Sequence, residues 1–270
     1  MARLVQRFNN KLTEINFMYD FKDKVVVVTG GSRGIGKAIA MKFAEAGAKL
    51  AIIYRSNQAT AKATLDLLSG SDHLALQADV ADEEQVESTV AKIINHFGQF
   101  DVLVNNAGIG DYHPIEQIDF DQWKKVWQET ISTNLIGPAN LCFCAAKYMM
   151  DNGGGRIVNV SSRGAFRGEP DKPAYGASKA GINALSQSLA QKLAPYNIFV
   201  GAVAPGFVNT ELTAAKLSGE EGEQIKRQSP LNRVANPEDV AQAVLFLAAP
   251  GSEFSTGTII DVNGASYLRS

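Results

Sequence analysis

From residue 24 onward, short runs of β-branched and aliphatic residues alternate with longer stretches of helical periodicity. Seven runs, at 25–29, 50–54, 74–78, 102–105, 157–160, 199–204 and 258–262, have the length and continuous apolarity of strands buried on both faces. Between them, residues 36–46, 83–97, 123–150, 177–193 and 238–248 read as helices with Gly or Pro at their boundaries. This alternation predicts an α/β fold, a doubly wound seven-stranded parallel sheet with helices on both faces, in a single domain. Residues 206–236 depart from the pattern, because Gly219 and Gly222 sit among charges in an otherwise helical insertion, and the segment reads as a substrate lid. Residues 1–21 also stand apart as an N-terminal extension to a domain at 22–270. Leu4, Phe8, Leu12 and Ile15 recur at helical spacing with Arg3, Arg7 and Lys11 between them. The pattern fits a short helix packed on the body or on a neighbouring subunit better than a targeting segment.

Composition adds exclusions. The 26 basic and 28 acidic residues leave a net charge of -2, without the basic surplus expected of a nucleic-acid binder. No run approaches the roughly 18 apolar residues of a membrane span, so no membrane partner is expected. Cys142 and Cys144 are the only cysteines, too few for a structural zinc site, and no metal is expected. On a helix, residues two apart point about 200° away from each other, so these two cannot pair in a thiol redox centre. With no secretory signal, the expected location is a reducing cytoplasm.

The first candidate site is the segment Thr29-Gly30-Gly31-Ser32-Arg33-Gly34-Ile35-Gly36, which follows the first strand and opens the first helix. In that context Gly30 allows a tight turn, Gly34 lets backbone approach a pyrophosphate, and Gly36 lets helix pack close on strand. The pyrophosphate of a dinucleotide would lie on the helix N-terminus, with Ser32, Arg33 and Ile35 beside it. The end of the second strand, Ile53-Tyr54-Arg55-Ser56, lacks the carboxylate that would hold the ribose hydroxyls of NAD. Arg33 and Arg55 can instead converge on a 2'-phosphate with Ser56 as a further donor, which predicts NADP, with NAD possible as a second cofactor.

The second candidate site is Tyr175-Gly176-Ala177-Ser178-Lys179, which sets a phenol and an ammonium four residues apart on one helix face. A fixed cation favours phenolate, so Lys179 is expected to lower the Tyr175 pKa towards neutral pH. The strand at 157–160 ends in Ser161-Ser162 and the strand at 102–105 in Asn105-Asn106-Ala107-Gly108, which brings both to the carboxyl edge where open α/β sheets bind ligands.

These residues together resemble the classical short-chain dehydrogenase/reductase family over nearly all of residues 22–267. The match comprises Thr29-Gly30-x-x-x-Gly34-x-Gly36, Asp79, Asn105-Asn106-Ala107-Gly108, Asn134, Ser162, Tyr175-x-x-x-Lys179 and Pro205-Gly206 in the family's order and spacing. The resemblance implies a Rossmann-like sheet and hydride transfer between nicotinamide and a carbonyl or secondary alcohol, without metal. It implies that Tyr175 exchanges the proton, that Lys179 lowers its pKa and binds the nicotinamide ribose, and that Ser162 holds the substrate oxygen. Asn134 would anchor a water that replenishes the proton through Lys179. Asp79 and Val80 would border the adenine, Asn106, Ala107 and Gly108 the ribose, and Pro205, Gly206, Val208 and Thr210 the nicotinamide end. Ser161, not aligned with the family serine, reads as structural.

Pro230-Leu-Asn-Arg233, Pro237-Glu-Asp-Val-Ala and Val262-Asn-Gly264 make the chain most similar to 3-oxoacyl-acyl-carrier-protein reductases. The resemblance has departures. Gly153 and Tyr196 stand where those reductases carry basic residues for the acidic carrier, and Gly264-Ala265 replaces a Gly-Gly ending. A 3-oxoacyl thioester is the first substrate expectation; a small alcohol or sugar, as for a glucose dehydrogenase, is the alternative. A cofactor sensor without turnover is the rival from another class, although all four catalytic positions are filled. Arg163, Arg167 and Lys172 form a candidate cluster for an anionic substrate at the mouth. The resemblance further implies a homotetramer.

Overall fold

The computed structural model describes residues 19–269, so most of the extension at 1–21 lies outside the described residues. Seven parallel strands form one sheet: β1 (Val25–Thr29), β2 (Lys49–Tyr54), β3 (Leu74–Gln77), β4 (Val102–Asn105), β5 (Gly155–Val160), β6 (Ile198–Pro205) and β7 (Ile259–Val262). Each overlaps a predicted strand. Their order is β3-β2-β1-β4-β5-β6-β7, with Val26 opposite both Leu50 and Val102. The chain winds outward in one direction from β1 and returns to start again at β4, which opens a crevice beyond the carboxyl ends of these two strands.

Successive residues of a strand face opposite sides, and in β1 both sides are apolar. Val26 and Val28 face a core shared with α1 (Gly34–Glu45) and α9 (Pro237–Ala248), while Val25 and Val27 face one shared with α3 (Glu83–Phe97), α5 (Gly137–Asp151) and α7 (Pro173–Leu193). Burial on both faces is why inner strands such as β1 read as unbroken apolar runs. Phe21 closes the first core edge-on against Phe43, with ring centroids 4.7 Å apart.

Three local departures from the sequence reading bear on the site. Helix α2 (Gln58–Leu65) carries no apolar stripe, because the side chains it buries are only those of Ala61 and Thr64. Asn57 caps it by accepting from the Thr60 N–H at 2.9 Å. Helix α7 starts four residues before the expected 177, at Pro173, whose missing N–H costs nothing in a first turn.

The helix expected at 123–150 is three pieces: α4 (Phe120–Ile131), a π-helical stretch Ser132–Ile136, and α5. Pro138 has no N–H to return to the Asn134 carbonyl four residues earlier, and the ladder shifts by one residue, so that the Gly137 N–H reaches the Ser132 carbonyl. Gly137 also passes so close to Val80 that a Cβ there would lie 2.3 Å from the Val80 carbonyl oxygen. Between β6 and α9, the expected lid holds turns and one helix, α8 (Gly219–Arg227). Helix α6 (Gly164–Arg167) is a single turn after β5. Among the described residues no helix is long and apolar enough to cross a membrane, and no group of three or more potential metal ligands gathers.

Candidate active site

The glycine turn, Asn105-Asn106-Ala107-Gly108, Ser162 and Pro205-Gly206 lie at or just beyond the carboxyl ends of β1, β4, β5 and β6. The β1–α1 turn is built by exclusion of side chains. Gly30 takes φ +63, and a Cβ on Gly36 would lie 2.2 Å from the Gly30 carbonyl oxygen and 2.5 Å from Asn106 Nδ2. Only glycine fits there. Arg33 occupies the N-cap of α1 without a side-chain cap, and the first turn has no acidic residue. The first-turn N–H groups and the helix dipole therefore face outward uncompensated, and the loop fits the pyrophosphate of a dinucleotide.

The loop is held from two sides. Asn106 Nδ2 donates to the Thr29 carbonyl at 2.8 Å, while Thr29 Oγ1 accepts from the amides of Asn106 and Ala107, both at 2.9 Å. On the other side Thr64 Oγ1 of α2 donates to the Ser32 carbonyl at 2.9 Å. Arg33, Arg55 and Ser56 are exposed, and neither arginine has an ion-pair partner among the described residues. Asp79 accepts from the Ala81 amide at 3.0 Å, and Ile35 packs partly against the core. Val208 is 5% exposed and its backbone bridges Ala235, so its side chain packs in the core beside Pro205 and Gly206. Thr210 lies against the turn, its Cγ2 3.4 Å from where a Gly34 Cβ would stand.

Ser162, Tyr175, Lys179 and Asn134 converge beyond β4 and β5. Lys179 Nζ donates to the Val160 carbonyl at 2.8 Å and lies 5.8 Å from the centre of the Tyr175 ring. A Cβ on Gly108 would meet Nζ at 3.4 Å and Asn134 Oδ1 at 3.3 Å, so this backbone passes between them. Asn134 is fully engaged: Oδ1 accepts from the Ile109 amide at 2.8 Å, and Nδ2 donates to the Ile109 carbonyl at 2.8 Å and to Ser178 Oγ at 3.1 Å. Its side chain staples the β4 loop to α7.

Electrostatics correct one expectation. Burial raises the Tyr175 phenol above its ordinary value, outweighing the Ser162 hydrogen bond that lowers it, and Glu169 raises it further. Burial also lowers the Lys179 ammonium, from 10.5 to about 8. The lysine therefore does not bring the phenol down in this structure; desolvation acts on both groups.

The anionic-substrate cluster is corrected as well. Arg163 is 3% exposed, donating from Nη1 to Gln228 Oε1 at 3.0 Å and to Ser266 Oγ at 2.6 Å, while Arg167 lies 3.7 Å from Glu169. Arg163 has left the mouth. Ser161 is buried and bonds the Lys179 carbonyl, in keeping with a structural role. Cys142, buried beneath the site, has its thiol pushed up to about 12, and both cysteines are free.

Several positioning residues were not assigned from sequence. His113 is 1% exposed; its Nε2 accepts from the Ala174 amide at 3.2 Å, so its Nδ1 carries the proton and donates to the Asp111 carbonyl at 2.7 Å. It pins the turn of α7 that carries Tyr175. Gly110 lies under the phenol, where a Cβ would come 2.9 Å from Tyr175 Cδ2. A buried chain from Asn105 through Asn159 to Ser186 ties β4, β5 and α7 together. Neither residue type nor spacing distinguishes these from ordinary loop and core residues.

Comparison with known proteins yields consistent relatives. The family model described as enoyl-(acyl carrier protein) reductase matches residues 30–265. The chain is 39% identical over 247 residues to the 3-oxoacyl-[acyl-carrier-protein] reductase FabG of Staphylococcus aureus, covering 91% of this chain and 98% of that one. It is 37% identical to carbonyl reductase family member 4 of Xenopus tropicalis over 246 residues, 91% of this chain and 99% of the relative. A crystal structure from Sinorhizobium meliloti 1021, described as a short-chain alcohol dehydrogenase, superposes with a TM-score of 0.85 at 34% identity, covering 92% of this chain and 97% of that chain.

Proposed function

Because the chain belongs to the short-chain dehydrogenase/reductase family, and so is an oxidoreductase using a nicotinamide cofactor, we propose that it reduces a carbonyl with NADPH, with a 3-oxoacyl thioester as substrate class. The observation that carries this reading is the convergence of Tyr175, Ser162 and Lys179 on one cleft at the end of β5, beside the glycine turn. The bound cofactor supplies the hydride. Ser162 holds the substrate oxygen, and Tyr175 gives it a proton as negative charge develops. Lys179, anchored on the Val160 carbonyl beside Gly108, orients the nicotinamide ribose. Asn134 fixes the β4 loop against α7, which keeps the two halves of the cleft in register. Asp79 and Val80 border the adenine, and Pro205, Gly206 and Thr210 cover the nicotinamide end.

The thioester reading rests on the relatives' names. Gly153 and Tyr196 leave carrier-protein docking without its basic residues, so the proposal stops at the thioester. The test is NADPH oxidation with acetoacetyl thioesters, simple ketones, quinones and sugar lactones; failure of every thioester alongside turnover of another carbonyl overturns the substrate class.

NADPH is assigned because Arg33 and Arg55 are exposed and unpaired among the described residues, with Ser56 beside them. Removing two charge-assisted hydrogen-bond donors in an Arg33→Ala, Arg55→Ala double variant is expected to weaken NADPH binding by at least about tenfold while sparing NADH. Equal loss for both cofactors, or none, refutes the assignment.

We also assign the chain to the cytoplasm and to a homotetramer. Phe120, Ile136 and Phe143 are 71%, 44% and 66% exposed along α4, the π stretch and α5. On the same layer, Trp127 Nε1, Thr130 Oγ1 and Asn183 Oδ1 are enclosed without hydrogen-bond partners among the described residues. A partner subunit would cover the apolar groups. Elution as a monomer in light-scattering size-exclusion chromatography would remove this assignment.

A further inference from the structure

Behind the loop that follows β5 lies a cavity of about 260 Å³. It is bounded by α8, the 229–235 segment, the start of α9 and the end of β7. Ser162, Tyr175, Lys179 and Asn134 are absent from its wall. Phe207, Ile225, Leu231 and Val234 make much of that wall apolar.

Its charges do not balance. Arg233 is neutralised by Asp239 through contacts of 2.6 and 3.3 Å, and Asp261 by Arg269 at 2.7 Å. Arg163 is left as a buried guanidinium with no carboxylate within ion-pair distance among the described residues. One of its terminal nitrogens, Nη1, bonds the neutral oxygens of Gln228 and Ser266, and its plane lies 5.4 Å from the Phe207 ring centre. Its Nε and Nη2 donate to no protein group among the described residues, and Arg163 forms part of the cavity wall. Glu169 acts on this buried cation only from beyond ion-pair distance, and a planar fork with two free donors fits a carboxylate.

We propose that this cavity is a second binding site, for a small monocarboxylate whose head is held by Arg163 and whose short apolar tail lies among Phe207, Ile225, Leu231 and Val234. The size limits the ligand. At about 260 Å³ it lies below the range of drug-sized sites and suits a short acid, not a dinucleotide. Arg163 directly follows Ser162, and its amide donates to the Pro205 carbonyl at 2.8 Å. An acid here is therefore one residue from the substrate-holding serine, and occupancy is positioned to alter substrate affinity.

The test is titration of the full-length protein with sodium hexanoate by calorimetry, with hexan-1-ol as the neutral analogue. Hexanoate is expected to bind in the millimolar range and the alcohol at least about tenfold more weakly. Arg163→Gln keeps a hydrogen-bonding side chain without the charge and should weaken hexanoate at least about tenfold. Leu231→Trp should do the same by filling the cavity from a position that is 63% exposed and so carries little folding risk. Tyr175→Phe should leave hexanoate binding unchanged, which separates this site from the catalytic cleft. Absence of binding at about 20 mM, equal affinity for the alcohol, or retained affinity in the folded Leu231→Trp variant overturns the proposal.

Discussion

Tyr175→Phe is expected to lower the rate of NADPH-dependent reduction by roughly 10²–10⁴-fold while cofactor affinity changes little. The substitution removes one hydroxyl and leaves the ring on Gly110 and the first turn of α7 as they are. Ser162 loses a hydrogen-bonding partner, and the developing alkoxide loses its proton source. The raised phenol sets the pH dependence. Above its ordinary range the group stays protonated through neutral pH, so reduction has its donor there. Oxidation of the corresponding alcohol needs the phenolate and should speed up as pH rises. Stopped-flow traces in both directions between pH 6 and 10 check this; undiminished reduction by Tyr175→Phe, or oxidation that slows with rising pH, removes Tyr175 from the role.

Lys179→Met should abolish efficient turnover and, unusually for a buried substitution, stabilise the fold at neutral pH. Burial lowers the ammonium from 10.5 to about 8. Keeping it charged inside the fold therefore costs about 3 kcal/mol, since each tenfold step in proton affinity is about 1.36 kcal/mol. Methionine fills similar space without the charge, but strips the Val160 carbonyl of a donor at a cost of about 1 kcal/mol, so a gain of about 2 kcal/mol is expected at pH 7. The sign of the pH effect follows from proton counting. Below about 8 the lysine is protonated both folded and unfolded, and the wild type carries the whole penalty. Between about 8 and 10.5 the unfolded chain binds the proton and the fold does not, so wild-type stability rises relative to the variant and the gap closes. Urea unfolding of both proteins at pH 7 and 9.5 measures it. A variant less stable than wild type at pH 7, or a gap that widens with pH, would show that the buried lysine is not held against its solvation. Such a cost at an active site is the usual trade of stability for function.

How much of this was legible in the chain depends on whether the determinant is local. The inner strands could be read because they are buried on both faces, while the half-buried edge strands β3 and β7 still showed as short apolar runs, and none was missed. Helix α2 was missed for the opposite reason: with Ala61 and Thr64 as its buried side chains it has no stripe to detect, though it holds Ser32 in place. Gly30 and Gly36 were legible because a turn that excludes side chains can be written only in glycine. Pro138 carried the signal for the π stretch at Asn134, but an uninterrupted helical periodicity on both sides hid it.

The chain's sequence by itself determined the sheet and the glycine turn, because these follow from periodicity and from fixed spacings of a few residues, and the resemblance to a family marked Asn134, Ser162, Tyr175 and Lys179 as the catalytic candidates. Tertiary structure alone decided the rest. It put His113 under the start of α7, engaged both ends of Asn134 with the β4 loop, and turned Arg163 from the substrate mouth to Gln228 and Ser266 in the wall of a cavity. It also reversed the direction expected for the Tyr175 phenol. The reason is that desolvation and partner choice depend on what distant segments enclose, and residues 61 to 103 positions apart in sequence meet there only after the sheet has formed.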